Sequence, residues 1–378
     1  MRLLAFLLTA CAAALCQPAP PTGPTVRSPE IHPDGRVSFR LLAPKATEVT
    51  LRGEWMEGAG RLPLAKNDEG VWSITVGPLP ADLYSYSFQV DGLQVVDPRN
   101  PLIKLGATAS NTSLIDIPGE RAAFHAIREV PHGTVHVHHY MSRPAASMRR
   151  MHVYTPPGYE KITQTKYPVL YLLHGSGDTD AEWYYLGRSG IILDNLLAVG
   201  KARPMLIVMT DGHPVKADNR DPGARAQNTA RFSEDLLTEV IPLIERTYRV
   251  NASREHRALA GLSMGGMQTI AVGLPNLDKF SHLGVFSAGA GGRERDASAF
   301  EKTHAAVLAK PEDTNKKLRL FWIACGKNDF LLPSVDALLA SLNRHGIRHT
   351  WRPTEGGHTW TNWRFYLAEF LPLLFGAS

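Results

Sequence analysis

Near residue 120 the periodicity of the chain changes, and that change limits the fold more than any other feature of the sequence. Between Pro29 and Pro118, short apolar or alternating runs at Val37–Leu42, Glu48–Arg52, Val71–Val76 and Tyr84–Val90 are separated by Asp34-Gly35, Glu69-Gly70 and Asp91-Gly92. Such dipeptides accept the positive φ angles of tight hairpin turns, and no helix-length periodic segment intervenes. Residues 29–118 are therefore expected to form an antiparallel β-sandwich of immunoglobulin-like size. Residues 119–132 read as a linker. Beyond it, Val169–Leu173 (VLYLL) and Met205–Met209 (MLIVM) are unbroken apolar runs bounded by Pro and Gly. Strands covered on both faces by helices lose the in-out alternation, so these runs predict central strands of a parallel sheet. Further strands are expected at Ala258–Ala260, Leu283–Phe286, Leu318–Ala324 and Thr350–Arg352. Helical spacing falls at Ser233–Tyr248, with Ser233 as N-cap, and at Met264–Val272, Val335–His345 and Trp360–Phe375. The expected fold of residues 133–378 is α/β, a mostly parallel sheet with helices on both faces.

Met1–Cys16 (MRLLAFLLTACAAALC) carries one Arg, an apolar stretch and small residues, the pattern of a secretory signal peptide too short to span a bilayer. It predicts a secreted or periplasmic protein, and Cys11 after Ala10 allows an alternative lipoprotein reading. Residues 17–28 read as a Pro-rich leader. Cleavage after Cys16 would leave Cys325 as the single cysteine of the 378-residue chain, which excludes an internal disulfide framework. Its apolar neighbours predict a buried, inert thiol in a strand. The 41 basic and 36 acidic residues give a net charge of +5, scattered along the chain. That excludes the clustered cations of a nucleic-acid groove, and no stable membrane insertion is expected.

Gly261-Leu262-Ser263-Met264-Gly265 is a G-x-S-x-G motif placed directly after an expected strand and at the start of an expected helix. In this setting a sharp turn exposes the serine hydroxyl, and the flanking glycines let neighbouring backbones approach closely. A serine needs a base to take its proton and an acid to orient that base. In the α/β-hydrolase order both follow the serine in sequence. His358, in the loop Glu355-Gly356-Gly357-His358 before the last helix, fits the base better than His304, His345 or His349, which lie in helix or helix-end surroundings. Asp329 fits the acid, because it follows the strand Leu318–Ala324 and so lies at the carboxyl end of the sheet. Asp336 falls in the first turn of a helix and Asp313 at the wrong end of a strand.

The oxyanion of the tetrahedral intermediate requires fixed N–H donors. Met264 is expected to supply one, and Gly175 or Ser176, in the loop His174-Gly175-Ser176-Gly177-Asp178, the other; His174 itself reads as structural. Trp183, Tyr184 and Trp360 are candidate substrate-binding aromatics, with packing anchors as the competing role. His136 and His138 share one strand face, but no third metal ligand is evident and a polar strand face is expected instead. No nucleotide-binding P-loop is present, and neither a metal nor another cofactor is expected.

Taken in order, HGSGD, GLSMGG, CGKND and GGHTW, with Val153-Tyr154-Thr155-Pro156-Pro157-Gly158-Tyr159 ahead of them, resemble carbohydrate esterase family 1, the esterase D-like feruloyl and acetyl xylan esterases. The resemblance covers about residues 133–375 and implies an α/β-hydrolase fold with Ser263 as nucleophile, His358 as base and Asp329 as orienting acid. Leu41–Ala46 and Tyr84–Gly92 resemble early-set sandwich domains related to family 48 carbohydrate-binding modules. That second likeness makes Trp55 and Trp72 candidates for sugar contact. Together the resemblances imply an exported, cofactor-independent serine esterase releasing ferulate from cell-wall arabinoxylan, with feruloylated or acetylated xylan, or its oligosaccharides, as partner. Acetyl xylan esterase, siderophore esterase and a non-catalytic polysaccharide-binding protein are the competing readings.

Overall fold

A computed structural model describes residues 24–56, 60–107, 111–215, 222–291 and 296–376. The expected signal peptide, with Cys11 and Cys16, and residues 17–23 of the leader lie outside the described residues. The N-terminal region contains β1 (Glu30–Ile31), β2 (Val37–Leu42), β3 (Val49–Gly53), β4 (Leu62–Pro63), β5 (Ala65–Lys66), β6 (Val71–Val76), β7 (Asp82–Val90), β8 (Leu93–Val95), β9 (Ile103–Lys104) and β10 (Thr112–Ile117). One sheet has the order β1-β2-β6-β5, the other β4-β3-β7-β10-β9 with β8 on β7, and every pairing is antiparallel. The Asp91-Gly92 turn joins β7 to β8 with φ of 47° and 86°, the two positive angles that a two-residue hairpin loop requires.

Between the two sheets lies an apolar core that includes Val37, Phe39, Leu51, Trp72, Tyr84, Tyr86, Phe88 and Ile115. Trp72 is buried and its indole N–H donates to the Ala43 carbonyl, while Trp55 stacks on Phe39 and meets Tyr84 edge-on. Trp72 thus belongs to the sandwich interior and Trp55 packs partly buried against it, the core role that competes with sugar contact: in a module this small, such large rings supply much of the apolar area that can be buried.

A third sheet has eight strands among the described residues, in the order β11-β12-β14-β13-β15-β16-β17-β18. They are β11 (Thr134–Ser142), β12 (Ser147–Thr155), β13 (Val169–Leu173), β14 (Leu206–Thr210), β15 (Arg257–Leu262), β16 (His282–Phe286), β17 (Leu320–Gly326) and β18 (Thr350–Thr354). From β14 to β18 all neighbours are parallel, and an antiparallel hairpin, β11-β12, extends one edge. The helices are α1 (Glu182–Tyr185), α2 (Ser189–Ala198), α3 (Pro222–Asp235), α4 (Ile241–Thr247), α5 (Met264–Gly273), α6 (Ser298–Thr303), α7 (Ala305–Leu308), α8 (Pro311–Lys317), α9 (Leu332–Arg344) and α10 (Trp360–Phe370). Two apolar clusters cover opposite faces of this sheet, which is why its central strands carry no alternation.

Ser233 caps nothing. It lies inside α3, which runs through a π turn at Leu236–Val240 into α4; the helical periodicity starts late because the first turns of α3 are polar. His304 is buried. His136 bonds Thr155 and His138 bonds the Tyr248 hydroxyl, as members of a polar strand face do. Cys325 is buried in β17, and burial pushes its thiol far above the usual range.

Candidate active site

β15 ends at Leu262 and α5 begins at Met264, so Ser263 occupies the turn between them with φ 51° and ψ −114°. A non-glycine residue in this region is strained and persists only where its surroundings dictate it. The surroundings here are two backbones in near contact. A Cβ on Gly261 would lie 2.5 Å from the Gly265 carbonyl carbon, and one on Gly265 would lie 2.6 Å from the carbonyl oxygens of Leu173 and His174. Only glycine fits at either position, and the serine between them is lifted to the carboxyl end of the sheet.

Asp329 and His358 arrive at that end from the loops after β17 and β18. His358 Nε2 is 3.0 Å from Ser263 Oγ, and Nδ1 is 3.0 Å from each oxygen of the Asp329 carboxylate. The carboxylate accepts the Nδ1 proton, which turns the lone pair of Nε2 toward the hydroxyl. Burial opposes ionisation of Asp329, but the hydrogen bond from His358, supported by the Leu331 N–H and the Ser287 hydroxyl, outweighs it and holds the carboxyl below its ordinary range. The acid therefore stays charged where the imidazole needs a counter-charge.

The His358 loop is braced from two sides. Asn362 donates to the carbonyls of Glu355 and Gly357, folding the loop onto the first turn of α10. A file of aromatic rings then links the imidazole to the sheet: His358 meets Trp363 at 90°, Trp363 meets Trp360 at 83°, and Trp360 meets Trp183 at 80°. The Trp183 indole ends the file by donating to the Leu173 carbonyl at 2.8 Å.

Trp183 and Trp360 are only 1% and 5% exposed. They are packing anchors, which corrects their assignment as substrate contacts: rings engaged on their faces and edges by other rings have no surface left for an acyl group. Tyr184 is 37% exposed and stacks on His152.

Gly175 adjoins the serine, since a Cβ placed on it would lie 3.6 Å from Ser263 Cβ. The buried His174 beneath it accepts the Gly212 N–H on Nε2 at 2.7 Å and donates from Nδ1 to the Gly175 carbonyl at 2.8 Å. That pair of bonds fixes the orientation of the ring and draws the Gly175 carbonyl inward. Because the peptide is planar and trans, the N–H of the same unit, belonging to Ser176, faces the opposite way. Met264, the first residue of α5, presents its N–H at the helix N-terminus, where backbone donors have no intrahelical partner. Among the described residues no group of three or more His, Cys, Asp or Glu side chains could hold a metal ion.

Ser287, Trp363 and Phe330 complete the site without having been expected from sequence. Ser287 sits at the end of β16 with φ 52°, takes a hydrogen bond from the Trp363 indole at 3.0 Å and helps hold Asp329. A lone serine after an apolar strand carries no signal that could have marked it. Phe330 packs on the His358 ring at 4.5 Å between centroids, and its place beside Asp329 was the one available clue.

The Esterase family model matches residues 143–374, and the model for carbohydrate-binding module 48, the isoamylase N-terminal domain, matches residues 22–101. The chain belongs to the Esterase family. An endo-1,4-beta-xylanase/feruloyl esterase of Xylanibacter ruminicola is 30% identical over 95% of the chain, which spans about half of that longer protein, 47%. Among solved structures, a CE1 ferulic acid esterase of Anaeromyces mucronatus, determined with ferulic acid, aligns over 67% of this chain and 95% of its own, with 25% identity and a TM-score of 0.59. The enterobactin esterase of Shigella flexneri aligns over 89% of this chain and 92% of its own with a TM-score of 0.61; at 18% identity it speaks for the fold alone. The sequence resemblance to carbohydrate esterase family 1, with an N-terminal domain like carbohydrate-binding module 48, thus stands.

Proposed function

We propose that the chain is a serine carboxylic ester hydrolase that releases ferulate or a related hydroxycinnamate from plant cell-wall arabinoxylan. The observation that carries this reading is the hydrogen-bonded series Ser263, His358, Asp329 on three loops at the carboxyl end of one parallel sheet. Ser263 Oγ attacks the ester carbonyl while its proton passes to His358 Nε2. The imidazolium is stabilised by Asp329, and the oxyanion is met by the N–H groups of Met264 and of Gly175 or Ser176. Collapse of the intermediate breaks the bond to the sugar oxygen, which leaves with the proton from His358. Water, activated by the same imidazole, then cleaves the acyl-serine ester to free acid and regenerates the hydroxyl.

The choice of acyl group is supported by the printed activities of the relatives: the Xylanibacter protein is named a feruloyl esterase and the Anaeromyces structure holds ferulic acid. Met1–Cys16 supports export to where such polymers occur, and among the described residues no helix is long and apolar enough to cross a membrane. Incubation with methyl ferulate, feruloylated arabinoxylan and acetylated xylan, with acid products quantified by chromatography, tests the reading. Ferulate release that is abolished in Ser263→Ala is expected. Release of acetate alone would reassign the substrate to acetyl xylan, and no acid from any of the three would overturn the proposal.

A further inference from the structure

The sandwich touches the hydrolase region at the two loops that flank Ser263. Glu54, just beyond β3, is held in place by β7: its N–H donates to the Ser85 carbonyl at 2.9 Å, and its Oε2 accepts the Ser85 N–H and hydroxyl at 3.1 and 3.3 Å. The other carboxylate oxygen, Oε1, accepts the N–H of Trp360 at 2.6 Å. Trp360 opens α10, and the preceding Thr359 makes no side-chain cap, so a carboxylate from the other domain satisfies one of the orphan donors of this helix and complements its dipole. His358 lies two residues before that N–H.

On the other side of the serine, the Lys104 ammonium of β9 pairs with Asp178, and the Ala107 N–H donates to the Gly177 carbonyl at 2.9 Å. Asp178 is itself tied to Gly175 by a bond from its N–H to the Gly175 carbonyl at 3.3 Å. Both loops that must be placed to a fraction of an ångström are thus attached to the N-terminal region. Of the two tryptophans, Trp72 is buried and Trp55 is partly buried with its face on Phe39.

We propose that the N-terminal sandwich is a positioning domain for the hydrolytic machinery, with Glu54 setting the His358 loop and Lys104 and Ala107 setting the oxyanion loop. The inference rests on the esterase reading for its kinetic consequence and on the contacts alone for its structural one, and the two are separable. Glu54→Ala in the full chain removes the acceptor of the Trp360 N–H, whereas Glu54→Gln keeps an oxygen able to accept it.

Two readouts apply, amide hydrogen exchange over residues 356–363 and kcat against KM on 4-nitrophenyl acetate, a substrate with no sugar to bind. Exchange in Glu54→Ala is expected to accelerate about tenfold and kcat to fall about tenfold with KM nearly unchanged, as a displaced imidazole dictates. Glu54→Gln is expected to restore at least half of kcat. Unchanged exchange in Glu54→Ala overturns the proposal whether or not the parent hydrolyses esters. Faster exchange with full kcat, or a loss confined to KM, overturns it as well. A parent without esterase activity would sink the proposed function while exchange still judged the contact. If Glu54→Ala fails to fold, Lys104→Met carries the same expectation for kcat and for exchange over residues 175–179.

Discussion

The sandwich and the α/β region use the same residue types in opposite ways. In the sandwich, rings face inward, with Phe39, Trp55, Tyr84 and Tyr86 packed on one another, and charges face the neighbouring region through Glu54, Asp82, Lys104 and Asp116. In the α/β region, rings form a file leading to His358, and the charged group at the end of the relay, Asp329, is buried. The difference teaches that an aromatic residue in a protein with a carbohydrate-binding likeness says little about sugar until its partners are known. Here the sandwich offers its neighbour hydrogen bonds and ion pairs rather than ring faces.

The contrast is broken most severely at the nucleophile. Ser263→Ala should lower kcat on methyl ferulate by about 10⁵-fold or more while the thermal midpoint stays within a few degrees of the parent; a smaller loss would place the chemistry elsewhere. Asp329→Asn should cost about 10³–10⁴-fold in kcat, because an amide cannot hold the imidazole in the required tautomer or balance its charge. Steady-state kinetics at saturating substrate separates this from a binding defect.

The contact between the regions provides the next test. Arg364 of α10 is fully buried and donates to Asp82 and to the Leu83 carbonyl of β7 at 2.6 Å, and to the Leu186 carbonyl at 2.9 Å. Burial opposes ionisation of Asp82, yet its hydrogen bonds with His125 and Arg364 hold it far below the carboxylate range. Arg364→Met removes the cation paired with that carboxylate and leaves it only His125 and the Leu83 N–H, and denaturant titration should record a loss of about 3 kcal/mol. A loss near zero would mean that the two regions scarcely depend on each other.

The mildest effect concerns acid. Burial pushes His282 and His304 down to about 4, from the usual 6.5 of an exposed imidazole. Below pH 6.5 the unfolded chain binds protons that the folded chain refuses until about pH 4, so stability should fall on acidification through that window and level off beneath it. Each site adds a slope of at most ~1.4 kcal/mol per pH unit. His304→Phe should flatten the dependence of the thermal midpoint on pH between 6.5 and 4, and an unchanged slope would remove this residue from the account.

Much of this was legible before any coordinates. Val37–Leu42, Val71–Val76 and Val169–Leu173 are the observed strands to the residue, since hairpin turns and two-sided burial leave strong local patterns. Ser263, His358 and Asp329 could be chosen because strand polarity says which loops share an end of the sheet. What remained hidden was non-local. The role of Trp183 depends on rings nearly 180 residues away, that of Glu54 on an amide 306 positions later, and the sharp turn at Ser287 leaves no mark in an apolar strand. The polar start of α3 hid its beginning for a different reason, because that turn gives no apolar stripe to read.

The attachment of α10 at both Trp360 and Arg364 has an evolutionary corollary. A chain of this kind can form part of a longer protein, as the Xylanibacter relative illustrates, but recombination that exchanged the sandwich for an unrelated fold would strip a buried guanidinium of its counterion and a helix of its cap in one event. The two regions are expected to be inherited as a pair.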